Sequence, residues 1–125
     1  MEAVFIKLNK AYNLPDRDML SENDVFVELK YGDKKHISSV KNNTAEPEWL
    51  DEMFIFSKQQ NINTLSVVIW DRDGLVNDKL AEEDFEINKN NIVTKKGKYV
   101  ELEVGSVFIM NENVRNNMLN SLIIR

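Results

Sequence analysis

Residues 24–32 read DVFVELKYG, and this stretch decides the fold class. Val25, Val27, Leu29 and Tyr31 occupy every second position, and the residues between them include Glu and Lys. Because successive side chains of a β-strand point to opposite faces, this alternation is typical of a strand with one buried face. The stretch ends in glycine, a common turn residue. It therefore predicts a strand rather than a helix.

Seven further segments have the same character, being rich in β-branched and aromatic residues and bounded by Asn, Asp, Gly or Pro. They are residues 3–11, 34–40, 49–57, 64–70, 84–89, 99–104 and 106–111. Gly105, between the last two, predicts a tight hairpin. Eight short strands separated by turn signals predict an all-β fold, an eight-stranded antiparallel β-sandwich.

Length and composition limit the function classes. With 125 residues, 42% of them hydrophobic, we expect one domain with a substantial core. The net charge of -5 argues against a nucleic-acid binder, and the absence of cysteine excludes disulfides, zinc–thiolate sites and thiol catalysis. No segment approaches the ~20 apolar residues of a transmembrane helix. The apolar run at 3–6 is too short for a signal peptide. We expect a cytoplasmic protein whose membrane contact, if any, is peripheral.

Two acidic loops carry the candidate chemistry. One spans residues 13–24, between the first two predicted strands, and the other is DRDGLVND, residues 71–78. Loops that follow strands of the same direction meet at one end of a sandwich. At about 4 Å and an effective dielectric of about 20, each pair of like charges costs roughly 4 kcal/mol, so clustered carboxylates need a counterion or raised pKa values. An all-oxygen set suits calcium, whereas zinc and copper prefer His or Cys. The aspartates that this arrangement would gather are Asp18, Asp24, Asp71, Asp73 and Asp78.

Four motifs in order resemble the C2 domain, a family of calcium- and phospholipid-binding β-sandwiches. Residues 10–18, KAYNLPDRD, are similar to the end of the family's first strand and the start of its first loop. Residues 21–29, SENDVFVEL, resemble its Ser-Asp-Pro-Tyr-Val motif. Residues 41–56, KNNTAEPEWLDEMFIF, resemble Asn-Thr-x-Asn-Pro-x-Trp-Asn-Glu-x-Phe, and residues 65–73, LSVVIWDRD, resemble the strand leading into its third loop.

The resemblance implies a domain over residues 1–110 followed by a C-terminal tail or linker, 111–125. It also implies the second (type II) circular permutation of the family, because the strand before the first loop comes first and SVFIM, residues 106–110, must close the sheet. In the tail, Val114, Met118 and Leu122 lie four apart, which is compatible with a short amphipathic helix. A segment packed on the sandwich and a linker both remain open.

The resemblance also implies a calcium site and a membrane contact. The family's ligands correspond to Asp18, Asp24, Asp71, Asp73 and Asp78, with the carbonyl of Arg72 as a further ligand. Asp78 lies one residue closer than the family spacing, and Ala81 stands where a glycine normally follows. Calcium would reverse the negative field of the loops and allow contact with an anionic phospholipid membrane. The apolar loop tips expected to insert are Met19, Leu20, Leu75 and Val76.

Other interpretations stay open beside this one. Four lysines near the second and third strands, namely Lys30, Lys34, Lys35 and Lys41, form a weaker candidate site for lipid headgroups or only a charged sheet edge. The short third loop favours an alternative in which the sandwich docks a protein partner without calcium. No enzyme is expected, because His36 is the one histidine and lies far in sequence from a nucleophile candidate.

Overall fold

The computed structural model describes residues 1–15, 22–109, 116, 119 and 120, with the side chain of Asp51 left out. Within these residues the chain forms eight β-strands and confirms the all-β prediction. The strands are β1 (Glu2–Ala11), β2 (Val25–Tyr31), β3 (Lys34–Ile37), β4 (Glu48–Ser57), β5 (Thr64–Asp71), β6 (Asp78–Glu86), β7 (Val93–Lys96) and β8 (Val100–Phe108).

The strands form two four-stranded antiparallel sheets, which pack as a sandwich. Their orders are β4-β1-β8-β7 and β3-β2-β5-β6. β8 pairs with β1 along its length, from Glu2 opposite Phe108 to Ala11 opposite Val100. The last strand therefore closes the sheet beside the first, as the sequence predicted.

The core lies between the two sheets and follows from the alternation of the strands. Val25, Val27, Leu29 and Tyr31 of β2 are fully buried. They belong to one cluster with the inward residues of β1 and β8, which are Val4, Ile6, Leu8, Val100, Leu102 and Val104. Each fully buried side chain of this size contributes roughly 1.5–3 kcal/mol. This core holds the strand ends, and hence the loops, in fixed positions.

The hairpin predicted at Gly105 is wrong, because β8 runs through that residue without a turn. A side chain at Gly105 would collide with the backbone of Asn91 and Ile92. The glycine therefore marks a close approach of the connection that precedes β7, not a reversal of the chain. β7 itself was not predicted.

The sixth strand begins at Asp78, earlier than the predicted start at residue 84. Its register shifts near that start, since Ile69 is opposite Ala81 while Trp70 is opposite Lys79. The extra residue, Leu80, makes a β-bulge, so both Leu80 and Ala81 are buried. The bulge breaks the alternation, which explains why the sequence pattern did not reveal the first part of this strand.

Four connections meet at one end of the sandwich, called the loop end: β1–β2, β3–β4 (residues 38–47), β5–β6 (residues 72–77) and β7–β8 (residues 97–99). Val25 forms a bridge with Lys41 through two hydrogen bonds of 2.8 Å. The amide of Thr44 donates to the carbonyl of Asn23 at 2.9 Å, and the amide of Ala11 donates to the carbonyl of Pro47 at 3.0 Å. These bonds fix the first and second of the connections to each other. The amide of Tyr12 donates to the carbonyl of Tyr99 at 2.9 Å.

Candidate functional site

Asp71 is the centre of the acidic site at the loop end. It is the last residue of β5, lies opposite Val25 of β2, and is only 8% exposed. Its Oδ1 accepts a hydrogen bond from the amide of Asp24 at 2.8 Å. The amide of Arg72 in turn donates to the carbonyl of Asp24 at 2.7 Å. The structure thus brings Asp24 and Asp71 together, as their positions in the sequence predicted.

The pKa of Asp71 is raised above its usual value, and the first cause is burial of the carboxyl group. The negative charges of Asp24, Asp73 and Asp78 raise this pKa further, whereas the hydrogen bond from the amide of Asp24 lowers it. Three other carboxylates therefore lie within electrostatic reach of Asp71. A site of this kind favours a cation, because a positive charge offsets both the repulsion and the burial.

Asp24 is held from the other side by the β3–β4 connection. Its Oδ1 accepts the amide of Asn43 at 2.7 Å, and Oδ1 of Asn43 accepts the amide of Glu22 at 3.2 Å. Asn43 has a positive φ of 50°, a conformation that asparagine tolerates better than most residues. Sequence reasoning missed this residue as a support of the site, although it lies within a motif of the resemblance.

Asp73 and Asp78 lie on the β5–β6 connection and at its end. Asp73 is exposed, and its carbonyl accepts the amide of Val76 at 3.0 Å, which closes a tight turn over Gly74 with a positive φ of 49°. Asp78 is half-buried and sits directly opposite Asp71 in the β5–β6 pairing. The side chain of Arg72 is exposed and donates to Oδ1 of Asn42 at 3.4 Å.

The donor chemistry of this site fits calcium, since every candidate side-chain ligand is an oxygen. Oδ1 of Asn23, next to Asp24 in the sequence, is buried and has no hydrogen-bond partner within the part of the chain that the structure describes. Among residues 1–15 and 22–109, however, no three His, Cys, Asp or Glu side chains are placed to hold a metal ion. Asp18 lies outside the described residues, so the full ligand set stays a prediction.

The tip of the β5–β6 connection is apolar and faces solvent. Leu75 is fully exposed at 103%, and Val76 is 70% exposed. Two adjacent aliphatic side chains on a loop tip gain nothing from packing there, which is typical of a surface that meets a partner or a membrane. The other two predicted tip residues, Met19 and Leu20, lie outside the described residues.

The four lysines of the weaker candidate site do not converge. Lys30 and Lys35 are opposite each other on the β2–β3 hairpin, and both pair with Glu28 at 3.7 Å. Lys34 alternates to the other face of β3, and Lys41 lies at the loop end through its bridge to Val25. The structure therefore brings two of the four together and separates the others.

The side chain of His36 joins the two sheets at one edge of the sandwich. Its Nε2 lies 2.9 Å from the carbonyl oxygen of Ile55, and its ring contacts Phe56 at a centroid distance of 4.5 Å. The imidazole thus ties the edge strand β3 of one sheet to the edge strand β4 of the other. A groove of about 480 Å³ beside it is lined by Lys34, Phe56, Lys58 and Gln59, among others.

Comparison with known proteins places these observations in a family. The model of the C2 domain family matches residues 2–104. Multiple C2 domain and transmembrane region protein 8 of Arabidopsis thaliana is 36% identical over 94 residues, which are 71% of this chain and 9% of that protein. The chain thus spans only a small part of the curated relatives it matches. Within the described residues, no helix has the length and apolar character needed to cross a bilayer.

Two solved structures support the fold. A C2 domain of plant extended synaptotagmin 1 superposes with a TM-score of 0.74 at 19% identity, covering 87% of this chain and 96% of that one. Human GIVD cytosolic phospholipase A2 gives a TM-score of 0.78 at 21% identity, covering 88% of this chain and 18% of that one. At these identities the likeness concerns the fold alone.

Proposed function

The chain belongs to the C2 domain family, and we propose that it is a calcium-dependent module for peripheral attachment to anionic phospholipid membranes. The observation that carries the proposal is the loop end itself. A buried carboxylate, Asp71, lies at the base of a loop whose tip residue, Leu75, is fully exposed. Negative charge at the base of a loop and apolar side chains at its tip suit a loop that binds a membrane through calcium.

The acidic residues are the cation-binding part of this proposal. Asp24, Asp71, Asp73 and Asp78, with Asp18 and the carbonyl of Arg72, would hold calcium, which supplies the positive charge that offsets their mutual repulsion. The hydrogen bond between Asp24 and Asp71 orients both residues before any ligand arrives. In the absence of a cation, the same carboxylates repel anionic headgroups and keep the loop end away from the bilayer.

The apolar tip is the membrane-inserting part. Leu75 and Val76, together with Met19 and Leu20, would enter the interface between headgroups and acyl chains. Each side chain of this size contributes roughly 1.5–3 kcal/mol when it is fully buried. Such a contribution from a few side chains gives reversible attachment rather than permanent anchoring.

Lysine side chains would add an electrostatic contribution. Of Lys30, Lys34, Lys35 and Lys41, the last lies at the loop end and is therefore the one placed to approach the same membrane surface. A basic residue near an anionic bilayer contributes about 1 kcal/mol. The positive charges of Lys30 and Lys35 are partly neutralised by their ion pairs with Glu28. We therefore expect these two lysines to contribute less to membrane binding.

Co-sedimentation with phosphatidylserine vesicles tests the proposal. The wild type should pellet with vesicles in calcium and stay in solution in chelator, and the double variant Asp71→Asn/Asp73→Asn should stay in solution in both. Asp33→Asn is the matched control, because Asp33 is exposed on the β2–β3 turn away from the loop end. Equal pelleting of the wild type and the double variant in calcium would reject the role of the carboxylates.

One observation favours a second function, docking of a protein partner without calcium. The β5–β6 connection is short, so Asp78 is part of β6 and faces Asp71 directly. The described carboxylates do not form a group of three placed around one point. If this function holds, calcium should leave thermal stability unchanged, and Leu75 and Val76 would contact a protein instead of lipid.

A further inference from the structure

The sheet β4-β1-β8-β7 carries a second apolar cluster on the face that points away from the core. On β1, Val4 and Ile6 point inward, so Ala3 and Phe5 point outward. Phe5 lies opposite Ile55 of β4, and Ala3 lies opposite Val107 of β8. We call this surface the outer apolar face, and its residues are Ala3, Phe5, Met53, Ile55 and Val107.

The outer apolar face is covered, although it does not belong to the sandwich core. Ala3 is fully buried and Phe5 is only 2% exposed. Ile92, from the connection that crosses Gly105, covers part of it. Ile109, directly after β8, covers another part and is itself 2% exposed.

Two described residues beyond β8, Ile109 and Leu119, contact this face. Backbone hydrogen bonds join Ile109 to Met1 in both directions, at 2.5 Å from the Ile109 amide and 2.9 Å from the Met1 amine. Ten residues later, Leu119 is half-buried and packs against the same cluster, whereas its neighbour Asn120 is exposed. An apolar side chain from the C-terminal segment therefore contacts the face.

We propose that the outer apolar face is a docking site for the C-terminal segment of this chain, residues 110–125, bound within the same molecule. The sequence of that segment supplies the required chemistry, because Val114, Met118, Leu119 and Leu122 are apolar at the spacing of one helix face. The segment is then a structural part of the domain and not a free linker.

The position of the face keeps this docking compatible with a membrane contact. Ala3 and Phe5 lie in the half of β1 that is farther from the loop end. In the nearer half the outward residues of β1 and β8 are polar, since Lys7 pairs with Glu103 at 3.4 Å and Asn9 donates to Glu101 at 3.4 Å. An apolar segment thus matches only the distant half of the face and leaves the loop end free.

Cross-linking in the full chain tests the proposal. Because the sequence contains no cysteine, the two introduced thiols are the only ones that can react. In Val107→Cys/Leu119→Cys, a short bis-maleimide should link the two thiols rapidly within a monomer. The matched control is Ile37→Cys/Leu119→Cys, because Ile37 is 54% exposed on the other sheet. It should link at least tenfold more slowly, a difference that corresponds to about 1.4 kcal/mol in activation free energy. Equal rates would overturn the proposal, and so would links that form mainly between two chains.

A second measurement does not depend on cross-linking. Leu119→Asp should lower the melting temperature and increase the fluorescence of a dye that binds apolar surface, because the segment leaves the face. Asn120→Asp adds the same charge at an exposed neighbour and should change neither. Unchanged stability and dye binding in Leu119→Asp would contradict docking of the segment.

Discussion

The interior of the sandwich and its loop end follow opposite rules. In the interior, apolar residues such as Leu29 are fully buried, and on β2 the strand alternation accounts for this burial. At the loop end a carboxylate, Asp71, is buried, and a leucine, Leu75, is fully exposed. The loop end gains no stability from this inversion, so the core must supply the stability that keeps it in place. The proposed binding function of the loop end rests on this inversion.

The largest expected effect is the loss of stability when a side chain of the core is removed. Leu29→Ala removes a fully buried side chain from β2 and should lower the free energy of unfolding by about 2–5 kcal/mol. Lys30→Ala, at the exposed next position, should change it by no more than about 0.5 kcal/mol. Urea denaturation of both variants measures the difference. Similar losses of unfolding free energy in the two variants would mean that burial in the core is not the main source of stability.

The second prediction concerns the exposed tip. Leu75→Ser/Val76→Ser should leave the free energy of unfolding within about 0.5 kcal/mol of the wild type, because neither side chain is packed. Vesicle binding in calcium should weaken by about tenfold or more, since a loss of about 1.4 kcal/mol is already a factor of ten. Titration with phosphatidylserine vesicles measures this. Unchanged lipid affinity would mean that the tip does not insert.

The third prediction concerns the support of Asp24. Asn43→Ala removes the side-chain acceptor for the amide of Glu22 and places alanine at a positive φ, so we expect a loss of about 1–2 kcal/mol in stability. Asn43→Gly keeps the backbone conformation available and should lose less. Thermal unfolding compares the two. If Asn43→Gly loses as much as Asn43→Ala, the backbone conformation is not the important property.

The smallest expected effect is a pH dependence that originates from Asp71. Because burial raises its pKa in the folded state, the folded protein retains this proton to higher pH than the unfolded chain does. Its contribution to stability is therefore most favourable below the unfolded pKa of about 3.9 and declines as the pH rises through the folded pKa. In chelator, Asp71→Asn should remove this decline and melt slightly higher than the wild type at neutral pH. A decline in stability with pH that is equally steep in Asp71→Asn and in the wild type would contradict this origin.

The sequence predicted the parts of the fold that depend on local alternation. The strand Val25–Tyr31 was predicted correctly, and so was the position of the last strand beside β1. That last strand is one strand, Val100–Phe108, and not the two predicted at 99–104 and 106–111. Gly105 was misinterpreted because its reason is the distant backbone of Asn91, which no local pattern reveals. β7 is short and polar, and the bulge at Leu80 hides the start of β6.

In the candidate site, too, the sequence predicted some features and missed those that depend on packing between distant segments. The proximity of Asp24 and Asp71 followed from the order of strands and loops, and a hydrogen bond joins the two residues in the structure. The role of Asn43 did not follow, because a positive φ and a hydrogen bond from its amide to Asp24 depend on how the β3–β4 connection packs. The ligand set as a whole includes Asp18 and stays a prediction.

Thermal unfolding in excess calcium and in chelator tests the central claim most directly. If the loop end binds calcium, the ion at about a hundred times its dissociation constant should stabilise the wild type by about 2.7 kcal/mol, which raises the melting temperature by several degrees. Asp71→Asn/Asp73→Asn should show no such rise, while Asp33→Asn should behave as the wild type. An unchanged melting temperature of the wild type in millimolar calcium would contradict the proposed calcium dependence and favour the protein-docking alternative.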